Sequence, residues 1–278
     1  GPALGGTGRS AAPVRKRIPL PAPEGELPEA VTCEPWGGMV AAAPIATATA
    51  LVAASHGTSS PAGQAALAAL VRAVARRRPD LNVIESFVDV QQPDVPTVLA
   101  GLRERTRVVP LLLSAGYHVH VDLAEAAGQQ HGTTVSGALG PDGRLVRVLA
   151  RRLEQAGLRR GDRVVLACAG STDRRAVADC EQTSRMLGEY LGRPVSAGYI
   201  SAARPALKDA VAAERERING TRAGGARVVV ATYLLAPGFF ASLAADCGAD
   251  VVAEPLLVAG EEPPADLVDL VLDRFGCV

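Results

Sequence analysis

Short apolar runs alternate with longer amphipathic segments from about residue 47 onward. The first run, 50–54, is compatible with a β-strand. Ser60 and Pro61 then supply a helix N-cap and a proline at the first helical position. Apolar residues at helical spacing between 66 and 74 predict a helix, which ends before Pro79. The same order of strand and helix recurs along the rest of the chain.

This pattern predicts four strands in each half of the chain. They are 50–54, 83–88, 108–113 and 134–139, followed by 164–169, 195–200, 228–235 and 251–257. Helices are predicted between them, near 94–104 and 121–130 in the first half. Strands that alternate with helices indicate βαβ units and a parallel sheet. Because the strand runs are continuously apolar, they suit strands that are covered on both faces. The sequence therefore predicts an α/β fold.

The two halves also repeat each other in residue type. Residues 55–58 (SHGT) align with 168–171 (CAGS), and 87–93 align with 199–205. Residues 113–118 align with 235–240, which requires an insertion in the second half, and we place it at 219–225. Three matches in the same order predict two homologous domains, 47–157 and 158–278, each with a four-stranded parallel sheet.

Composition excludes several classes of function. Lys and Arg number 29, as do Asp and Glu, so the formal net charge is zero, and aromatic residues make up 3%. A nucleic-acid partner is not expected without a basic excess. No apolar run reaches about 18 residues, so no membrane contact is expected. The five cysteines include no C-x-x-C pair, which favours reduced, buried thiols in a cytoplasmic protein.

Residues 1–46 differ in composition from the rest of the chain. They are rich in Pro, Gly and Ala, and the basic residues 15–17 precede no long apolar core. Such a segment buries too little apolar surface to offset the entropy of ordering it. We interpret it as a disordered leader and not as a secretory signal.

The candidate chemistry lies in the first half alone. His56, Asp89 and His118 follow three predicted strands, and the second half has Ala, Ser and Phe at the matching positions. Open α/β folds bind ligands at this edge of the sheet. Taken singly, His56 fits a structural histidine and Asp89 a helix cap. Together, two imidazoles and a carboxylate suit either a divalent-metal site or proton transfer. His118 and His120 both follow Gly116, and at most one is expected in a shared site.

Three motifs together resemble the sirohydrochlorin chelatases, which are class II chelatases of the SirB and CbiX type. They are SHGTS at 55–59, FVDVQQP at 87–93 and VPLLLSAGYHVHVD at 109–122. The resemblance is strong over about 48–130, fainter over the second half, and absent from the leader. Ser55 replaces the first glycine of the family pattern, Asp89 replaces its usual glutamate, and Leu123-Ala124 replaces an isoleucine-proline pair.

The resemblance implies two flavodoxin-like, chelatase-like domains that face each other across a cleft. It implies an enzyme that inserts a divalent metal into sirohydrochlorin, with His56 and His118 as catalytic and metal-handling residues and Asp89 as a further metal ligand. Because sirohydrochlorin bears eight carboxylates, the cleft is expected to present cations and backbone donors. The residues expected to bind the substrate are Gly57, Thr58, Ser59, Gly116, Tyr117 and Arg204.

The metal itself is left open by these residues. Fe²⁺, which gives sirohaem, is the favoured metal, and Co²⁺ or Ni²⁺ for cobalamin-type or related cofactors are the alternatives. No cofactor is expected beyond the divalent metal substrate, and no P-loop indicates a nucleotide. The chain is expected to act as a monomer, because its two halves supply the cleft.

Two other classes of function fit the same residues less well. A hydrolase that uses Ser55, His56 and Asp89 lacks the G-x-S-x-G elbow, and adjacent residues of a strand cannot readily hydrogen-bond side chain to side chain. A tetrapyrrole or metal carrier would use the same cleft without turnover.

Overall fold

The structure, a computed structural model, describes residues 48–114, 116–220 and 225–276, without the side chains of Tyr117 and His118. The predicted leader lies outside these residues, together with Cys33 and Cys277. Within the described ranges, no helix is long and apolar enough to cross a membrane.

Over its described residues, the first half contains four strands and four helices in alternation. They are β1 (Ala50–Ser55), α1 (Pro61–Arg77), β2 (Asn82–Phe87), α2 (Val95–Gly101), β3 (Thr106–Pro110), α3 (Tyr117–Gly128), β4 (Thr133–Val135) and α4 (Gly143–Gln155). All strand pairs are parallel, in the order β2-β1-β3-β4. The central strand β1 is completely buried, as its continuous apolar run predicts.

The second half repeats this arrangement. Its elements are β5 (Arg163–Cys168), α5 (Arg174–Leu191), β6 (Val195–Tyr199), α6 (Leu207–Asn219), β7 (Val228–Tyr233), α7 (Phe239–Ala245), β8 (Val251–Val252) and α8 (Ala265–Phe275). The sheet order β6-β5-β7-β8 is that of the first half, and all pairs are parallel. The predicted α/β fold with two four-stranded parallel sheets is therefore confirmed.

Several boundaries differ from the sequence-based expectation. The third and fourth strand of each half end earlier than predicted, since buried residues such as Leu111, Leu112 and Leu256 continue the apolar runs into loops. The insertion of the second half was expected in the loop 219–225, of which 221–224 lie outside the description. Much of it falls instead in α6, which has 13 residues where α2 has 7.

Local capping explains where two of the first-half helices begin. The Gly63 N–H donates to Ser60 Oγ at 3.3 Å, which caps α1 ahead of Pro61. Asp94, at the end of the loop after β2, caps α2 by accepting from the Thr97 N–H at 2.8 Å. The cap is therefore Asp94, and Asp89 lies five residues earlier in the loop, where it is exposed.

The last helix of each half packs on the other half. Helix α4 contacts β7 and α5, and α8 contacts β3 and α1. The guanidinium of Arg274 in α8 donates to the carbonyls of Ala138 and Leu139, while Arg107 in β3 donates to the Arg274 carbonyl at 2.9 Å. One buried apolar cluster includes residues of both sheets. These contacts of α4 and α8 with the opposite half hold the two sheets in place relative to each other.

Candidate metal and macrocycle site

A cavity of about 700 Å³ lies between the carboxyl ends of the two sheets. The loops after β1 and β3 line it from the first half, and the loops after β5 and β7 line it from the second. Its volume falls in the range of roughly 300–1,000 Å³ that is typical of small-molecule sites. The cavity therefore lies at the sheet edge where the sequence places the candidate chemistry.

His56 and Asp89 are brought together in this cavity. His56 follows the last residue of β1, and the Val88 N–H donates to the Ser55 carbonyl at 2.7 Å, which holds the loop bearing Asp89 beside β1. Both side chains remain accessible. The cavity walls reduce the hydration of His56, and this desolvation lowers the pKa of the imidazole against the opposing charge of Asp89. His56 is therefore favoured as a neutral base with a free lone pair.

The third predicted residue, His118, lies in the first turn of α3. The sequence predicts a helix only from about 121, whereas α3 begins at Tyr117, so His118 and His120 are helical. Residues two apart on a helix do not share a face. Gly116 and Val119 line the cavity, and His120 is absent from its lining. The side chains of Tyr117 and His118 lie outside the description, so their predicted roles stay predictions.

The loop after β1 forms part of the cavity wall through Gly57, Thr58 and Ser59. Its backbone donors are partly engaged, because the Thr58 N–H donates to Gln91 Oε1 at 2.8 Å and the Ser60 N–H donates to Thr58 Oγ1 at 3.1 Å. Within the described residues, the N–H groups of Gly57 and Ser59 have no such partner. Fewer donors are therefore available to a ligand carboxylate than the sequence suggests.

Gly57 also shows why the loop has its shape. Its φ of +80° lies in the left-handed region, and an added Cβ would lie 3.2 Å from the Gln91 backbone nitrogen. The matching Gly170 has a φ of +93° and packs even more closely on the Ser201 carbonyl. Both glycines let the loops after the central strands turn tightly beside their neighbours.

The cavity lining carries little positive charge. Its histidine and carboxylate residues are His56, Asp89 and Asp173, and among the described residues no arginine or lysine lines it. Arg204, expected to bind substrate, is exposed and borders a separate pocket of about 230 Å³ next to Tyr199. The structure therefore does not bring Arg204 to the other predicted residues, and it does not show the cationic lining that was expected.

The mouth of the cavity is apolar, which sequence reasoning missed. Val90, Phe239 and Phe240 line it and are exposed by 58%, 71% and 41%. The two rings meet edge to face, with centroids 6.0 Å apart and planes inclined at 68°. We call these three residues the apolar lip. Exposed apolar groups that cluster at a cavity mark a binding surface. The signal in the sequence was the paired phenylalanines directly after Gly238.

The described residues contain no cluster of three or more His, Cys, Asp or Glu side chains that could hold a metal. His56 and Asp89 are two of the three expected ligands, and the third, His118, has no described side chain. An α/β fold of two matched domains, with an imidazole and a carboxylate facing an apolar cleft, defines the class of the chelatase-like proteins.

The chain belongs to the CbiX family, whose sequence profile matches residues 50–156 and 163–243. Among curated protein sequences, none matches this chain.

Several solved structures have a similar fold. SirB from Bacillus subtilis with Fe³⁺ is 19% identical, with a TM-score of 0.63, over 81% of this chain and 93% of that one. SirB from Bacillus subtilis subspecies spizizenii in complex with cobalt is 18% identical, with a TM-score of 0.57 over the same shares. CbiX, described as the terminal enzyme for biosynthesis of siroheme in denitrifying bacteria, is 18% identical, with a TM-score of 0.56, over 81% and 98%. At these identities the likeness shows the fold alone.

Proposed function

We propose that this protein is a sirohydrochlorin chelatase that inserts Fe²⁺ to make sirohaem. The observation that carries the proposal is the position of His56 beside Asp89 in an apolar cleft between two matched domains. The family assignment supports the same activity. The metal and the tetrapyrrole are both substrates.

His56 suits metal transfer because desolvation lowers its pKa. A neutral imidazole has a lone pair for a divalent ion, whereas an imidazolium has none. Asp89 supplies a negative charge next to it, which attracts the cation into the cleft. The pair therefore favours a divalent metal that is bound and then released to another ligand.

The walls suit the body of a macrocycle rather than its carboxylates. The lining consists largely of apolar groups such as Leu111, Leu113 and Leu235, and the apolar lip extends it to the surface. Since no described lysine or arginine lines the cavity, the eight carboxylates of sirohydrochlorin are best accommodated toward solvent. The N–H groups of Gly57 and Ser59 are available to one of them.

Metal insertion requires a balance of protons. Two pyrrole N–H bonds break as the divalent metal binds the four nitrogens of the macrocycle, and both protons leave to bases or water. The positive charge of the metal makes the pyrrole nitrogens more acidic. His56 and Asp89 are the bases that the first half supplies to the cavity among the described residues, and we propose His118 as the third group of the site.

Fe²⁺ is the metal we propose, and cobalt is the alternative with a specific observation behind it. Of the similar structures, one SirB holds Fe³⁺ and another holds cobalt. The CbiX structure is described as a terminal enzyme of siroheme biosynthesis, which supports iron. Imidazole and carboxylate ligands do not discriminate between these ions, whose selection also depends on metal supply.

A side-by-side assay of Fe²⁺, Co²⁺ and Ni²⁺ with sirohydrochlorin under anaerobic conditions tests the proposal. The absorbance of the macrocycle reports metallation directly. We expect many turnovers per chain, fastest with Fe²⁺. Faster turnover with Co²⁺ than with Fe²⁺ would show that cobalt, and not iron, is the metal that the protein inserts. Metallation that stops at one product per chain would indicate a carrier and contradict the enzyme.

We also propose that the protein acts as a cytoplasmic monomer. Both walls of the cavity come from one chain, so no second copy is needed to complete it. The described cysteines, Cys168, Cys180 and Cys247, are buried free thiols, which suits a reducing compartment. Light scattering after size-exclusion chromatography should give the mass of one chain.

A further inference from the structure

At four matched positions on or beside the cavity wall, the second half carries sulfur or oxygen atoms where the first half carries mainly carbon. Strand register and helix starts define four matched pairs of positions. In the first half, one of the four residues has a side-chain heteroatom, and in the second half all four have one. The pairs are Ser55 with Cys168, Leu67 with Cys180, Phe87 with Tyr199, and Leu111 with Tyr233.

The two thiols lie near each other. Cys168 ends β5, Cys180 lies in the second turn of α5, and both belong to one buried cluster in which each thiol shifts the pKa of the other. Both are buried and both line the cavity. Cys247 is equally buried but does not line it. Two thiols on neighbouring elements that open into one cavity differ from a core cysteine that merely fills space.

A phenol next to the thiols lacks a partner. Tyr199 is 2% exposed, lines the cavity, and has a hydroxyl with no hydrogen-bond partner among the described residues. Its strand pairs directly with that of Cys168. Tyr233, on the other side of Cys168, places its hydroxyl 3.4 Å from Thr183 Oγ1. Buried hydroxyls without partners are rare, because they lose hydration without compensation.

We propose that Cys168 and Cys180 bind a thiophilic divalent metal ion such as Co²⁺ or Zn²⁺, and that the Tyr199 hydroxyl donates a hydrogen bond to a metal-bound sulfur. Each thiol loses its proton to buffer as its sulfur–metal bond forms. Two thiolates balance the charge of the ion, so no net charge is buried. Thiolate ligands select such ions over Mg²⁺ or Ca²⁺. This site is separate from His56 and Asp89 and does not depend on chelatase activity.

The state of the free thiols agrees with this assignment. The neighbouring Cys180 thiol and burial raise the pKa of Cys168 well above its ordinary value, while Cys168 lowers the pKa of Cys180, so Cys168 stays protonated until a metal displaces the proton. A hydrogen-bonded partner of a ligand tunes the affinity for the metal, typically by about 10–100-fold. The Tyr199 hydroxyl, which has no partner among the described residues, is available for that role.

The test is an anaerobic titration of the reduced full-length protein with Co²⁺, without any tetrapyrrole. Sulfur-to-cobalt charge transfer gives a near-ultraviolet absorption that imidazole and carboxylate ligands do not produce. We expect this band to saturate at one Co²⁺ per chain, with release of two protons. Cys168→Ala and Cys180→Ala should each abolish the saturable band. Tyr199→Phe should weaken binding by about 10–100-fold.

Two matched controls separate this site from the rest of the molecule. Cys247→Ala and His56→Ala should both keep the band, since neither removes a proposed ligand. In the wild type, bound Co²⁺ should protect Cys168 and Cys180, but not Cys247, from alkylation measured by mass spectrometry, which requires no variant to fold. Absence of the band, its survival in Cys168→Ala, or Co²⁺-independent alkylation of the pair would overturn the proposal. Glutathione disulfide provides a second check. If it joins Cys168 to Cys180 in a disulfide, and the protein still binds no Co²⁺ at these thiols after reduction, the proposal is also overturned.

Discussion

The hydroxyl of Thr58 lies against Gly238 across the cavity, where an added Cβ would be 3.2 Å from Thr58 Oγ1. The matched contact runs from the second half to the first, where a Cβ added at Gly116 would lie 4.0 Å from Ser171 Oγ. Each half therefore places the loop after its central strand against the glycine that precedes a helix of the other half. These reciprocal contacts bring the two loops together at the cavity.

Gly63 is predicted to be essential for this close approach. A Cβ there would lie 2.3 Å from the Pro237 carbonyl oxygen, which is backbone and cannot move aside cheaply. We expect Gly63→Ala to lower the free energy of unfolding by about 1–3 kcal/mol, the usual cost of overpacking. Denaturant-induced unfolding measures it. The matched control is Gly128→Ala, in α3, where a Cβ meets nothing within 4 Å. It should be neutral or stabilise by up to about 1 kcal/mol, and equal effects of the two changes would contradict the prediction.

The stability that the contact between α4 and α8 contributes should depend on pH through Asp142. Burial raises the pKa of Asp142, but hydrogen bonds from Arg144 and the charge of Arg274 together hold it below its ordinary value. Because the folded pKa lies below that of the unfolded chain, near 3.9, the contribution is complete above that pH and is lost as pH falls toward the folded pKa. Asp142→Asn keeps an N-cap for α4 but removes the charge.

Thermal unfolding from pH 7 down to pH 3 tests this linkage. We expect the variant to be less stable than the wild type at pH 7, and the difference to shrink below about pH 4. Stability curves that stay parallel over the whole range would show that Asp142 does not contribute through its charge.

The repeat in the sequence was enough to predict both sheets and the shared edge. Residues such as His56 and Asp89 follow strands of one parallel sheet, and parallel strands bring their carboxyl ends together. The exchange of α4 and α8 could not be predicted, because their amphipathic patterns show that a face is buried but not which sheet covers it. Arg204 also follows a strand in sequence, yet it borders a different pocket, since the path of the loop after β6 decides which surface it reaches.

The apolar lip should bind the face of the macrocycle. We expect Phe239→Ala to raise the KM for sirohydrochlorin about two- to tenfold, the value of one aromatic contact, with little change in kcat. Steady-state kinetics with saturating metal measures both constants. Tyr190→Ala is the control, because Tyr190 is 59% exposed on α5 and does not line the cavity. A fall in kcat alone, or an equal effect of the control, would contradict a role in binding.

The histidines should divide into two groups by function. His56→Ala removes the described imidazole of the cavity, and we expect metal insertion at least about a hundredfold slower, within the range of roughly 10²–10⁴ for one acid–base group. His118→Ala should behave similarly, since it matches the family motif at the first turn of α3. Binding of sirohydrochlorin, followed by the change in its absorbance without metal, should stay near the wild-type affinity in both, because the apolar walls are intact.

His120→Ala is the matched control on the same helix turn. His120 does not line the cavity, and residues two apart on a helix do not share a face, so insertion should stay within a few fold of wild type. Rates of metallation for the three variants, measured side by side with Fe²⁺ and Co²⁺, give the comparison. An inactive His120→Ala with an active His118→Ala would place the other face of α3 at the metal and reverse the assignment of the third ligand.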